Sequence, residues 1–396
     1  MSAISVFDDA FLYIDDGKIV EWGTNILENI LRIQQTDSMV EMIDADGGLV
    51  FPCWVDAHTH IVYASSREAE FADRIRGLSY EEIASRGGGI LNSVQKLRQA
   101  SEEELTEAAM DRLDEMVHSG TGAVEIKSGY GLDLESELKI LRVIRSLKEH
   151  TLVTMRATFL GAHAIPAEFK KDKPAYLRLL TEKMIPAIAE EKLADYCDIF
   201  IENGYFTSDD AAGLFDVAAK HGLIPKVHAE QLSHSGGIAA GVSAGAISVD
   251  HLEFANADDI QRLAKSETIP VLLPGAQFFL GLKNPPAREM INAGLPVAIS
   301  SDFNPGTCPS GNMLQMVSLA CIMYRMTPEE SILAATTNAA AAIGLSKELG
   351  SIAVGKIANV FITKPVPSYS FIPYSFGSNF IRTVILRGEI QVESLC

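Results

Sequence analysis

Five of the nine histidines, His58, His60, His163, His228 and His251, stand at or just past the ends of apolar, strand-like runs. Asp302 stands at the end of another. Imidazoles and carboxylates are the side chains that hold divalent metals and move protons near neutral pH. His58-Thr59-His60 is the sharpest local pattern. On a strand, residues i and i+2 point to one side, so both rings can reach one ion. With His228 and Asp302 the set becomes three imidazoles and one carboxylate, donors suited to zinc or a non-haem iron. The plain alternative is a group of unrelated polar residues capping strand ends. His118, His150, His221 and His234 fall in helices or loops.

The elements that must position these groups alternate regularly. Strand candidates cover 49–57, 122–128, 152–161, 196–202, 223–229, 246–253, 268–273 and 295–301. They are near-continuous apolar runs, as expected of a parallel sheet covered on both faces. Helices follow them. Ser101-Glu102-Glu103-Glu104 is a capping box, Asp133 to His150 has helical apolar spacing, and Thr207-Ser208-Asp209-Asp210 opens another helix that closes at Gly222. Eight such units point to an α/β fold, a (β/α)8 TIM barrel, whose strand ends converge on the face where active sites are built. The terminal segments differ. Asp15-Asp16-Gly17 reads as a hairpin turn, and 349–393 is strand-like again. The expected organisation is a barrel over 51–345, with 1–50 and 346–396 combining into one small β-sandwich domain.

The chain has 396 residues, 47% hydrophobic and 21% charged, which excludes a largely disordered protein. Its net charge of −19 argues against nucleic acid or an anionic membrane as partner. It does not exclude a small anionic substrate, because a few local cations override the global balance. No basic-then-apolar leader opens the chain, and no run approaches membrane-spanning length. Five cysteines without a C-x-x-C pair suggest reduced thiols and a cytoplasmic location.

V-D-A-H-T-H, the lone histidine of K-V-H-A-E-Q, D-H-L-E-F, S-S-D-F-N-P-G and the late G-S-I-A-V-G-K-I-A-N together resemble the amidohydrolase superfamily. Ser66-Arg67-Glu68, E-I-K-S-G-Y-G-L, T-F-L-G-A-H and Asn304-Pro305-Gly306-Thr307 narrow the resemblance to its imidazolonepropionase family, over essentially the whole chain. The resemblance implies hydrolysis of the cyclic amide of 4-imidazolone-5-propanoate to N-formimidoyl-L-glutamate, a step of histidine degradation. It implies that His58, His60, His228 and Asp302 hold one zinc or iron ion. It implies that Arg67, Tyr80, Tyr130, His163, Gln231, Asn304, Gly306 and Thr307 meet substrate or product, and that His251 stands beside the attacking water. It also implies a homodimer, and, since the chain begins close to the first hairpin, the short upstream strand common in the family is expected to be missing or replaced. A second metal would need a bridging lysine or glutamate on the fourth barrel strand, where only Glu202 is offered.

The residue types suit this chemistry. A bound metal lowers the pKa of water towards ~7. Asp302 can take a proton from water and return it to the leaving nitrogen. The metal and His251 can stabilise an oxyanion. Arg67 offers a fork for the propanoate, unless it only pairs with Glu68 or Glu70. His163 could instead be a hydrogen-bonded core histidine, and Gln231 mere loop polarity. The rival activity is a metal-dependent deaminase of a guanine- or cytosine-like ring. Such enzymes need a carboxylic acid where Gln231 stands, one residue past Glu230. A silent, ligand-binding barrel is the rival from another class.

Overall fold

The computed structural model describes residues 4–36, 39–78, 82 and 88–393. A hairpin of β1 (Phe11–Asp15) and β2 (Lys18–Gly23) comes first. β3 (Gly48–Pro52) leads into the barrel strands β4 (Trp54–Thr59), β5 (Thr121–Lys127), β6 (Thr154–Ala162), β7 (Tyr196–Ile201), β8 (Ile224–Ala229), β9 (Ser248–His251), β10 (Ile269–Leu272) and β11 (Ala298–Ile299). These eight pair in sequence order and every pairing is parallel. The ring closes between its ends: Thr59 bridges Phe303, Asp302 N donates to His58 O at 3.0 Å, and His60 N donates to Phe303 O at 2.9 Å. Side chains reinforce the closure. Ala57 N donates to Ser300 Oγ at 2.9 Å, and Ser301 N donates to Asp56 at 3.0 Å. The (β/α)8 barrel read from the sequence is the fold.

Helices cover the outside, and local signals start them. Ser101 and Glu104 cap Glu102–His118 reciprocally, Asp133 caps Leu134–His150, and Thr207 with Asp210 caps Ser208–Lys220. Each buries an apolar stripe, such as Leu105, Ala109, Leu113 and Met116, against the sheet.

The first strand differs from its expected extent. Residues 49–57 do not form one strand; the ladder breaks at Cys53. Pro52 has no N–H to continue a ladder. Cys53 N donates instead to Asn359 O at 2.9 Å, while Trp54 N donates to Gly120 O at 2.9 Å. The chain therefore passes from one sheet to another within a single residue.

β3 joins β12 (Val360–Pro365), β13 (Ile381–Leu386) and β14 (Glu389–Glu393) in an antiparallel sheet of order β14-β13-β12-β3. The β1–β2 hairpin packs Leu12 and Ile14 onto Val360, Ile362 and Ile385 of this sheet. Its turn has Asp16 and Gly17 at φ 46° and 71°, as a two-residue hairpin loop requires. Asn359 joins the small sheet to the barrel: its Nδ2 donates to Gly122 O at 2.9 Å, and its Oδ1 accepts from Arg387 N at 2.9 Å. Among the described residues no helix is long and apolar enough to cross a membrane. Cys53, Cys197, Cys308 and Cys321 are unpaired.

Candidate metal centre and substrate pocket

The strand ends bring the imidazoles together. His58 lies on β4 and His60 one residue beyond it, with ring centroids 5.3 Å apart. His228, on β8, stands 4.5 Å from His58 and 5.6 Å from His60, centroid to centroid. Asp302 Oδ1 lies 3.6 Å from His58 Nε2 and 3.7 Å from His60 Nε2. All four residues are buried. The ligand atoms form two groups that share His58: His58, His60 and Asp302, and His58, His228 and His251. Glu202 belongs to neither. Its carboxylate accepts from the amides of Asn203 and Leu232, both at 2.9 Å, and so pins a loop.

The donor set fits a metal. His58 Nε2 and both ring nitrogens of His228 are buried without a hydrogen-bond partner, a costly state for polar atoms unless something binds them. The 3.6–3.7 Å gaps to Asp302 are too long for hydrogen bonds. They are close to the roughly 3.4 Å that separates two ligands on one tetrahedral ion at ~2.0–2.1 Å. Burial, foremost, with neighbouring positive groups, holds His58, His60 and His228 well below the usual imidazole pKa, so each keeps a lone pair. Behind the rings stand carboxylates. Asp250 Oδ2 lies 2.6 Å from His58 Nδ1, and Asp198 Oδ2 lies 3.0 Å from His228 Nδ1. A carboxylate on Nδ1 turns Nε2 toward the ion.

Asp302 sits at φ 55° and its carboxyl is pushed up to about 6 by burial. Its Oδ2 accepts from Thr307 Oγ1 at 2.9 Å. Asn304 is occupied within the same loop. Its Oδ1 accepts from the amides of Gly306 and Thr307, at 2.8 and 2.9 Å, and its Nδ2 donates to Asp302 O at 2.6 Å. Asn304 and Thr307 thus shape the Asp302 loop. His251 ends β9 with φ 87°, followed by Leu252 at 73°. Its Nδ1 lies 3.8 Å from Glu253 Oε1, and neither oxygen of the buried Glu253 has a hydrogen-bond partner. Burial pushes His251 down, but the nearby carboxylates, Glu253 first, leave its pKa raised.

Arg67 precedes the helix Glu68–Ile75. Its Nε donates to Glu70 at 2.9 Å, so the anticipated ion pair exists. Its Nη1 also lies against Gly306, where a Cβ would collide with it. His163 stacks on His60 with centroids 5.4 Å apart at 16°, and Tyr130 lies 5.7 Å from His163. Gly129 O can only accept, so His163 Nδ1 donates to it at 3.1 Å and leaves Nε2 as an acceptor. Gly129 itself sits at φ 106°, and a Cβ there would approach Leu160 O to 2.8 Å. Burial lowers His163 to about 4. Gln231 is buried in the loop after β8. Glu230 beside it turns away, its carboxylate accepting from Gly236 N and Ile238 N at 2.9 and 3.0 Å. Tyr80 lies outside the described residues.

Residue-by-residue reading of the sequence missed several of these groups. Arg74, two helical turns beyond Arg67, brings Nη2 to 3.4 Å from Gly306 O while its Nη1 is buried without a partner. The i, i+7 spacing of the arginines was the available signal. Glu253, Asp198 and Asp250 went unnoticed because a charge inside an apolar run shows no partner until the register is known.

Comparisons with known proteins give the family and the fold. Residues 49–390 match the model of the amidohydrolase family. The imidazolonepropionase of Flavobacterium johnsoniae is 52% identical, covering 98% of this chain and 93% of its own. That of a Geobacillus strain is 41% identical, covering 100% and 92%. Two solved structures share the fold at low identity. A 5-methylcytosine deaminase from Klebsiella pneumoniae with phosphonocytosine has TM-score 0.74 and 17% identity, covering 97% of this chain and 95% of its own. An adenosine deaminase from Xanthomonas campestris with bound zinc has TM-score 0.71 and 16% identity, covering 98% and 89%. The chain therefore belongs to the imidazolonepropionase family of amidohydrolases.

Proposed function

We propose that the chain opens the ring of 4-imidazolone-5-propanoate with water, giving N-formimidoyl-L-glutamate, at one metal ion held by His58, His60, His228 and Asp302. The observation that carries this reading is the pairing of two features at one barrel mouth. A buried donor set with orphaned imidazole nitrogens lies beside Asp302. The Arg67 guanidinium, over Gly306 in the loop that Asp302 begins, offers a cation for the propanoate. Arg74 adds a second guanidinium on the same side.

When bound, the metal supplies Lewis acidity and brings the proton loss of water near neutral pH. The ion is zinc or iron, since three imidazoles and a carboxylate accept either. Asp302 takes a proton from the attacking water as its oxygen bonds to the ring carbonyl carbon. It then delivers that proton to the ring nitrogen as the carbon–nitrogen bond breaks. His251, with the Glu253 carboxylate 3.8 Å from its Nδ1, stabilises the charge that develops on the carbonyl oxygen. Tyr130 and His163 line the ring side of the pocket, with His163 Nε2 as acceptor. Gln231 is assigned to the same pocket, with Asn304, Gly306 and Thr307 forming its floor and Tyr80 a further contact. The deaminase alternative lacks its acid, because Gln231 cannot protonate departing ammonia and Glu230 is turned away.

The same reading divides the chain into 1–50, 51–345 and 346–396; the pairing of β3 with β12 supports joining the two terminal segments, and β3 itself runs on to Pro52. It places a homodimeric enzyme in the cytoplasm, in keeping with unpaired cysteines and the absence of a spanning helix among the described residues.

The test is product analysis. Metal-loaded protein incubated with the imidazolone should abolish its absorbance and yield N-formimidoyl-L-glutamate without ammonia. Unchanged substrate contradicts the proposal, and ammonia released from a cytosine or guanine ring favours the deaminase.

A further inference from the structure

Beneath the metal donors lies a second layer of charge with no exposed surface. It consists of Glu125 and Lys127 on β5, Asp198 on β7, Lys226 on β8 and Asp250 on β9. Glu125 and Lys127 are two residues apart on one strand, so both project to the same side, here the barrel interior. Lys127 Nζ is 2.7 Å from Glu125 Oε1, 2.8 Å from Asp198 Oδ2 and 3.4 Å from Asp250 Oδ2. Three protons thus face three carboxylates. The same Oδ2 atoms of Asp198 and Asp250 stand behind His228 Nδ1 and His58 Nδ1, at 3.0 and 2.6 Å. One ammonium is therefore shared by both carboxylates that orient imidazole donors. Lys226, the other buried ammonium, pairs with Glu125 and lies 3.4 Å from Ala57 O; its charge acts on Asp198 and Asp250 from a distance, but it makes no hydrogen bond or ion pair with either.

We propose that Lys127 is a positioning residue for the metal centre, clamping Asp198 and Asp250 together and, through them, fixing the ring orientation of His228 and His58. Two buried carboxylates repel strongly unless a cation sits between them. Without Lys127 they separate, His58 loses the acceptor on its Nδ1, His228 loses the carboxylate that faces its Nδ1 at 3.0 Å, and the Nε2 lone pairs no longer converge. The inference rests on the metal reading above and adds a residue that touches neither metal nor substrate. Loss of an outer partner of a ligating histidine typically weakens metal binding about 10–100-fold; Lys127 serves two such partners.

The experiment measures metal affinity of the full chain, stripped of metal, by zinc competition with a chromophoric chelator. Lys127→Met keeps the stem and removes the charge, and Lys226→Met is the matched control in the same layer. The expected result is a dissociation constant raised about 10–100-fold by Lys127→Met and by less than about threefold in the control. Nitrogen NMR of the imidazoles should show both His58 and His228 protonated at Nδ1 in the unsubstituted chain and mixed in Lys127→Met. Equal affinity of Lys127→Met and the unsubstituted chain, or equal weakening by both substitutions, overturns the proposal. If Lys127→Met does not fold, Asp198→Asn and Asp250→Asn break the two arms separately, and each should weaken zinc about tenfold. Unchanged affinity in both overturns it equally. No zinc binding by the unsubstituted chain overturns the metal reading itself, a result distinct from the others.

Discussion

Arg67 is held by Glu70 on one side and presses on Gly306 on the other. Gly306→Ala puts a methyl group where the guanidinium lies, and Arg67→Met removes the cation. Both should raise KM, Arg67→Met by roughly 10–100-fold, which matches the ~1.5–3 kcal/mol of a charged hydrogen bond. Metal content, measured by elemental analysis, should stay unchanged. Glu253 acts through His251, so Glu253→Leu should lower kcat about 10–100-fold with little change in KM, and Glu253→Gln should recover part of the loss. A third residue links pH to stability. Asp56 accepts from Ser301 where the barrel closes, and burial pushes its carboxyl up to about 7. Unfolded, it ionises near ~3.9. Between these values the folded chain binds the extra proton, so this group destabilises the fold increasingly as pH rises from about 4 through about 7. Asp56→Asn has no such dependence. Its stability relative to the unsubstituted protein should therefore climb across that window, by at most about 1.4 kcal/mol per pH unit, and its melting temperature in thermal scans should rise in step.

Among elements, what can be read from sequence depends on how local the cause is. The helices at 102–118, 134–150 and 208–220 begin at caps spelled out by three or four adjacent residues, and the structure starts them there. His58, His60, His228 and Asp302 were recognisable because each ends an apolar run, and a barrel gathers strand ends on one face. Residues 49–57 failed as one strand because the break depends on Asn359, some 300 positions later in the chain, accepting from Cys53 N. The Lys127 layer was hidden for the same reason. Glu125 and Lys127 interrupt a run otherwise read as apolar, and only the barrel register sets Asp198 and Asp250 beside them. Asn359 supplies the test at this scale. Asn359→Leu leaves Gly122 O and Arg387 N, where small sheet meets barrel, without its side-chain bonds. Gly122 O is buried, and leaving it unsatisfied costs about 1–3 kcal/mol. The variant should melt several degrees lower while its metal affinity stays unchanged.

For the whole molecule, a net charge of −19 coexists with a pocket that receives an anion. Arg67, Arg74 and a bound cation outweigh the global field at close range, since Coulomb interactions beyond about 10 Å are screened. The small sheet stands on the opposite side of β4 from the donors, fed by β3, so the two terminal segments stabilise the barrel away from its mouth. The account depends on a single metal ion that makes the ring opening possible. Its most direct test strips the protein with a chelator, titrates zinc or ferrous iron back, and follows imidazolone absorbance against equivalents added. Activity should be absent without metal, rise linearly and stop rising at one equivalent per chain. Turnover by the stripped protein, or a break at two equivalents, would contradict the account.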